Sequence, residues 1–426
     1  MMRLDLSRIR VALENQGQSA VDLSDLHVTY LRPGQDGPVL AQLTSTQRDG
    51  GVATFTLRSA SEVKGRRWAA EINTRHVANL NVVTATPAVY DEGLEALITS
   101  FPVDRRLSTL SDVLDEGVMR RKLADHFATR GHGDPLEACR ASVIRYKSES
   151  KCVVRYELNW RSRSENRPDV LYGKLSKPSI FARSRAVADH VAEIGCATDF
   201  ATPRWFGAID SLSLELWGEL TGVPLADAEL GEAVPVAASV GRALRSLHSM
   251  KANLADARPD DCIELSLTEA THHLSKHVPE LASELTAMRE QTAPFLEWSR
   301  SHPPSPTHHD FHGFNLLIDG ATVGLLDFED LALGDRFHDV GALLAHFVEL
   351  ESRSSGPTVQ FEQQRAGFLA GYGELDSAES DRLAAYAAAH CVLRGFQALR
   401  KPGSTNHEVV ATLIRVARQF LRGENP

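Results

Sequence analysis

The stretch Thr307–Asp335, THHDFHGFNLLIDGATVGLLDFEDLALGD, constrains the fold more than any other part of the chain. Two short apolar runs, Leu316-Leu317-Ile318 and Val323-Gly324-Leu325-Leu326, flank a polar turn and predict a hairpin of two buried strands. His308, His309, Asp310 and His312 crowd the approach to the first strand, and Asp327, Glu329 and Asp330 follow the second. Ionisable groups beside strands that need burial must be solvated, paired or used. Three readings fit: a metal-hydrolase site built on the histidines, a kinase catalytic loop, or a solvated loop between two strands.

The hairpin favours the second. Asp310 lies on a polar turn, Asn315 sits at the mouth of the first strand, and Asp327 ends the returning strand, so folding back brings the three into one small volume. Two carboxylates and an amide oxygen form a hard-oxygen set suited to Mg²⁺, which keeps several waters and uses one or two carboxylates plus substrate phosphates. A carboxylate left off the metal can receive the proton of an attacking hydroxyl. Base, metal ligands and a phosphate-binding lysine are the recurring parts of phosphoryl transfer.

The residues also carry a resemblance. HHDFHGFN has the form H-x-D-x-H-x-x-N, with His308, Asp310, His312 and Asn315 in place, and LLDFEDLALGDRFHDVG supplies a strand-end Asp, an acidic pair, Gly-Asp and Asp-Val-Gly. Together, and with GRALRSLHSM ending at Leu247-His248, these resemble the aminoglycoside phosphotransferase and choline kinase-like family over about residues 135–426. The resemblance implies an α+β, bilobal protein-kinase-like fold, with a β-rich N-lobe and a helical C-lobe. It implies Asp310 as catalytic base, Asn315 and Asp327 as Mg²⁺ ligands, and ATP or another nucleoside triphosphate as donor. The acceptor it implies is a hydroxyl of a small molecule: an aminoglycoside, a sugar or an amino alcohol. Asp335 and Asp339 are expected to brace the loop and His308 to orient it. His312 is expected to pack near the site and His309 to face solvent.

The same resemblance directs attention to the strand DVLYGKLSK, where Lys174 would contact the phosphates and Glu193, with Asp189 as the other option, would orient it. Alternation sets Tyr172 and Lys174 on one face of that strand. The segment Leu214–Leu220, with Glu215 and Trp217, would meet the adenine. The hairpin tip KSESK, Lys147–Lys151, departs from the glycine-rich pattern of kinase loops, which lets backbone N–H groups approach phosphate. Ser148 and Ser150 are expected to bind phosphate through their side chains instead. The acidic residues Glu349, Glu351, Glu362, Glu374 and Asp376 are read as the wet faces of helices.

The 426 residues are too many for one ordinary core and predict two or three domains. Residues 1–100 read as a β-rich extension without a chemical motif: a lid, a dimer interface or a separate binding module. RRWAAEINT continues the strand pattern there, whereas DEGLEALITSF and STLSDVLDEGVMRRKLADHF read as helices. Residues 101–220 read as the nucleotide-binding lobe and 221–426 as the helical lobe with the catalytic loop and acceptor pocket. In the latter, LTEATHHLSKHVPELASELTAMREQTAPFLEW reads as one long amphipathic helix.

A formal net charge of −10 argues against a nucleic-acid footprint. No run approaches the ~18 apolar residues of a membrane helix, and the N-terminus lacks an apolar signal core. A cytoplasmic monomer or homodimer is expected, with neither a nucleic-acid nor a membrane partner. Cys139, Cys152, Cys196, Cys262 and Cys391 lack metal-ligand spacing and read as free, mostly buried thiols. Two functional alternatives stand beside the kinase: a pseudokinase-type module that binds a nucleotide or a partner, supported by the unmatched N-terminal region and the odd hairpin tip, and a His/Asp metal-dependent hydrolase.

Overall fold

Five N-terminal strands form a sheet covered by one helix on each side. A computed structural model describes residues 5–15, 21–33, 38–47, 50–76, 87–131, 133–162, 167–194, 199–227, 233–251, 254, 261–298, 303–354, 358–400 and 406–424. Helix α1 (Leu6–Glu14) starts where the Asp5 carboxylate accepts the N–H groups of Ser7 and Arg8. Strands β1 (Val21–Pro33), β2 (Pro38–Gln47) and β3 (Val52–Ser59) follow, then α2 (Glu62–His76), β4 (Ala88–Asp91) and β5 (Ala96–Ser100). The sheet order is β1-β2-β3-β5-β4, and neighbouring strands pair antiparallel.

Two expectations fail here. DEGLEALITSF holds strand β5 rather than a helix, and RRWAAEINT lies in helix α2 rather than a strand. Strand β5 is buried at all of its positions: Ile98 packs with Ile9 and Leu13 of α1, while its neighbour Leu97 packs with Ile72 of α2. A strand covered on both faces shows no polar alternation, so its short apolar run mimics a helix segment.

Helices α3 (Leu110–Leu114) and α4 (Glu116–Ala128) lead to a second five-stranded sheet. It contains β6 (Leu136–Lys147), β7 (Lys151–Trp160), β8 (Val170–Ser176), β9 (Trp205–Ile209) and β10 (Leu214–Gly218) in the order β6-β7-β8-β10-β9, with α5 (Pro178–Ile194) between β8 and β9. Met119, Leu123 and Phe127 of α4 share a core with Tyr156, Leu171, Leu175, Leu214 and Leu216. Each such large side chain, fully buried, contributes about 1.5–3 kcal/mol. Gly173 lies on that core face, where a Cβ would come 2.6 Å from the Tyr156 ring.

The chain forms two compact units, and both sheets belong to the first, Met1–Phe181 with Phe206–Gly218 and Arg400–Pro402. The second contains β11 (Val223–Pro224), α6 (Ala233–Ser249), α7 (Asp261–His277), α8 (Ala282–Trp298), β12 (Ser305–Thr307), β13 (Leu316–Asp319), β14 (Thr322–Leu325), β15 (Ala332–Gly334), α9 (Phe337–Arg353), α10 (Thr358–Tyr372), α11 (Ser377–Leu399) and α12 (Asn406–Leu421). The expected α+β class with an N-terminal β-rich region is therefore present. The long helix expected before residue 300 is broken into α7 and α8 by a short 3-10 turn starting at Pro279, since proline cannot continue an i→i−4 ladder.

Helix α9 is buried from Phe337 to Glu349, so polar side chains inside it must find partners. Glu349, read as a wet-face residue, is 3% exposed and is held by Arg394 at 2.8 Å and Arg353 at 3.2 Å. Cys139, Cys152 and Cys391 are free and buried, and burial pushes each thiol up to about 12. Cys196 and the Cys262 side chain lie outside the described residues. No helix among the described residues is long and apolar enough to cross a membrane.

Candidate active site

The hairpin predicted after Pro306 forms. Strands β13 and β14 pair antiparallel with Leu316 opposite Leu325 and Asp319 opposite Thr322. One further bond extends the ladder past the strands: Leu326 N donates to the Asn315 carbonyl at 2.9 Å. Asn315 and Asp327 consequently lie at the same open end. The Asn315 amide nitrogen donates to both the backbone carbonyl of Asp310 at 3.0 Å and its carboxylate at 3.1 Å. Asp327 has φ 64° and ψ 57°, the left-handed region, where an Asp is tolerated better than most residues.

Burial would raise the Asp310 pKa. A hydrogen bond to His312 and its charge instead hold the carboxyl well below the usual carboxylate range, against the opposing charge of Asp327. The His312 ring nitrogen lies 3.5 Å from Asp310, whose side chain remains 45% exposed, so the carboxylate is ionised and within reach of a ligand. Burial raises the pKa of Asp330, which Arg183 of α5 contacts at 2.7 Å; the same arginine donates to the Glu329 carbonyl at 3.1 Å.

The loop itself hangs on Asp339. One carboxylate oxygen accepts His308 N at 2.7 Å and the other accepts His309 N at 2.9 Å. His248 Nε2 lies 3.1 Å from the same carboxylate, and Tyr372 Oη lies 2.9 Å from His248 Nδ1. Despite full burial, the histidines hold the Asp339 pKa well below its ordinary value. His308 Nε2 also meets the Leu326 carbonyl at 2.9 Å, tying loop to hairpin. His309 does not simply face solvent: its ring packs 4.6 Å from that of His338, and burial lowers its pKa to about 3.

In the first unit, strand alternation sorts the nucleotide-site expectations. Tyr172 and Lys174 lie on the β8 face away from Leu171, Gly173 and Leu175. Register sets Glu215 directly across from Lys174 and Trp217 across from Tyr172. Lys174 is 9% exposed and Glu215 is fully buried, with a carboxylate oxygen accepting Trp217 Nε1 at 3.0 Å. Strand β10, which holds most of the segment expected to meet the adenine, has hydrogen-bonded neighbours on both sides. The side chains of Glu193 and Asp189 lie outside the described residues.

The expectation for Ser148 fails. Its side chain is fully buried, its N and Oγ donate to Gln42 Oε1 at 3.0 and 2.8 Å, and Thr56 Oγ1 lies 2.7 Å from Oγ. A hydroxyl with both partners supplied inside the protein offers nothing to a phosphate. Ser150 is partly exposed, and its carbonyl accepts Lys177 N at 3.1 Å.

Among the described residues, no group of three or more His, Cys, Asp or Glu side chains is placed to hold a metal. The amide of Asn315 belongs to a different donor set. With its nitrogen directed at two acceptors, its oxygen is the end left for a cation. Asn315 Oδ1 and the Asp327 carboxylate fit magnesium, which prefers a few hard oxygens completed by water and phosphate.

Arg183, Asp104 and the arginines around Glu149 were not anticipated. For Arg183 a signal existed: a cation on the helix that follows the lysine strand.

Residues 176–402, more than half of the chain, match the model of the phosphotransferase enzyme family. No curated protein sequence matches the chain. Similar solved structures include macrolide 2'-phosphotransferase MphH from Brachybacterium faecium, at 20% identity over 68% of this chain and 97% of that one, with a TM-score of 0.43. Choline kinase from Cryptosporidium parvum Iowa II is 14% identical over 67% of this chain and 89% of its own, with a TM-score of 0.48. A thermostable mutant of aminoglycoside phosphotransferase APH(4)-Ia is 16% identical over 71% of this chain and 98% of its own, also at 0.48. With the family match spanning the predicted motifs, the chain belongs to the phosphotransferase enzyme family.

Proposed function

We propose that the chain is an ATP- and magnesium-dependent kinase that phosphorylates a hydroxyl of a small molecule. The double hydrogen bond from Asn315 to Asp310 carries the reading: it holds an ionised carboxylate beside an amide oxygen directed elsewhere. Asp310 orients the acceptor hydroxyl and receives its proton as the new O–P bond to the γ-phosphorus forms and the bond from that phosphorus to the bridging oxygen breaks, releasing ADP. Asn315 and Asp327 would hold the magnesium, which would supply charge neutralisation on the phosphate oxygens. Lys174 meets the phosphates, and its buried cross-strand neighbour Glu215 keeps that face polar. Trp217 and the sheet face around it receive the base, while Ser150 at the hairpin tip is the serine still open to phosphate.

The acceptor is a small molecule, sought among aminoglycosides, sugars and amino alcohols. ATP consumption across such a panel tests the reading. Turnover with at least one alcohol that Asp310→Ala abolishes, while MgATP still binds, supports it. Equal turnover in that variant overturns it. MgATP binding without turnover on any acceptor would instead favour the pseudokinase reading, and stoichiometric zinc or iron in the purified protein the hydrolase.

A further inference from the structure

The tip of the β6–β7 hairpin is fastened to the N-terminal sheet. Ser148 is held by Gln42 of β2 and Thr56 of β3, at the distances given above. Glu149 is 2% exposed and adopts φ 56°, a left-handed conformation in a residue that gains nothing from it locally. Arg105 grips its carboxylate with two bonds of 2.7 and 2.9 Å, Arg58 of β3 adds a third at 3.2 Å, and Arg106 lies 3.7 Å away. Glu149 N donates to Asp104 at 2.8 Å, and Tyr146 Oη reaches the same oxygen at 2.8 Å. A strained, buried turn with its charge met by a bidentate guanidinium is fixed by its surroundings, not by its own preference.

A loop that covers phosphates must be ordered when nucleotide binds, and ordering opposes binding. Here the order exists beforehand. We propose that the N-terminal sheet is a brace that pre-sets the nucleotide-covering hairpin, with Glu149 as the positioning residue through which it acts. The proposal rests on the kinase reading of the β6–β7 hairpin and gives the N-terminal region a role in donor binding. Burial would raise the Glu149 pKa, but Arg105, Arg58 and Arg106 hold it below the ordinary value, so the carboxylate is ionised at neutral pH.

The test compares the full-length wild type with Glu149→Gln and Arg58→Ala. Glu149→Gln should raise the KM for ATP about fivefold or more while leaving the acceptor KM unchanged; Arg58→Ala, which keeps the Arg105 grip, should raise it less. Amides of residues 147–151 should exchange slowly in nucleotide-free wild type and change little on adding MgATP. In Glu149→Gln they should exchange fast until MgATP is added. If Glu149→Gln does not fold, the wild-type exchange decides alone: tip amides that exchange fast and slow only with MgATP overturn the brace. An unaltered KM for ATP in both variants overturns it as well. Calorimetry on the wild type separates the two ideas, because absent MgATP binding removes the kinase reading and the brace together, whereas normal binding with unaltered KM values removes only the brace.

Discussion

The Asn315 amide nitrogen is bonded twice to Asp310, once to its carbonyl and once to its carboxylate. The consequence is directional. Both partners accept, so the nitrogen must face Asp310, and the oxygen is what remains for a cation. One side chain thus fixes the proposed base and offers a proposed metal ligand.

Asn315→Ala should therefore harm two quantities together. Loss of the clamp lets Asp310 swing, and a misplacement of about 1 Å costs on the order of 10²-fold in rate. Loss of the oxygen weakens binding of MgATP. Steady-state kinetics with calorimetry checks both; a variant with wild-type kcat and wild-type MgATP affinity sinks the assignment.

His312→Ala should move the pH dependence. In the wild type, burial pushes the Asp310 pKa up and His312 more than offsets it. Without the imidazole, burial and the Asp327 charge are opposed only by the weaker pull of His308, so the carboxyl protonates at a higher pH. The acid limb of the kcat/KM profile should shift to higher pH, with activity lost earlier on acidification. A profile whose acid limb stays in place, or moves to lower pH, contradicts this electrostatic account.

The active-site hairpin is legible in the sequence because it is local. Asp310, Asn315 and Asp327 belong to one ribbon whose strand pairing needs only alternation and a turn. The fate of Ser148 is not legible. Its partners, Gln42 and Thr56, stand about a hundred residues upstream in a separate sheet, and nothing in KSESK announces them. The arginines on Glu149 were missed for the same reason. Strand β5 is misread because it is buried on both faces, and helix α2 because a short window shows its apolar residues without their partners in β4 and β5. The Lys174–Glu215 pairing sits between these cases: alternation gives the face, but the neighbour follows only from the β8–β10 register.

Asp339→Asn should destabilise the chain by about 3–5 kcal/mol, the range for breaking a buried charged network. An amide NH₂ would face at least one of the N–H groups of His308 and His309 that the carboxylate now accepts. The effect should depend on pH. A carboxyl whose pKa is depressed by folding contributes stability that is fully present above its unfolded value, about 3.9, and is lost as pH falls through the native value. Urea melts should show the full difference from wild type at pH 7 and a narrowing one once pH drops below about 4. A constant difference across that range is the result that removes the argument.

Gly241→Ala tests the packing that delivers His248 to Asp339. A Cβ at Gly241 would lie 2.2 Å from the Phe368 carbonyl oxygen and 2.5 Å from Tyr372 N, both backbone atoms of α10. Alanine gains about 1 kcal/mol over glycine inside a helix. Overpacking against backbone that cannot rotate away costs about 1–3 kcal/mol or more, so the net sign is destabilising. Helices α6 and α10 must move apart, and His248 lies about two turns further along the same face of α6. Its bonds to Tyr372 and Asp339 should stretch, loosening the loop that carries Asp310. Both the urea midpoint and kcat should therefore fall. A stabilised Gly241→Ala with unchanged kcat would mean that the helices have room to separate and that the catalytic loop does not depend on their close approach.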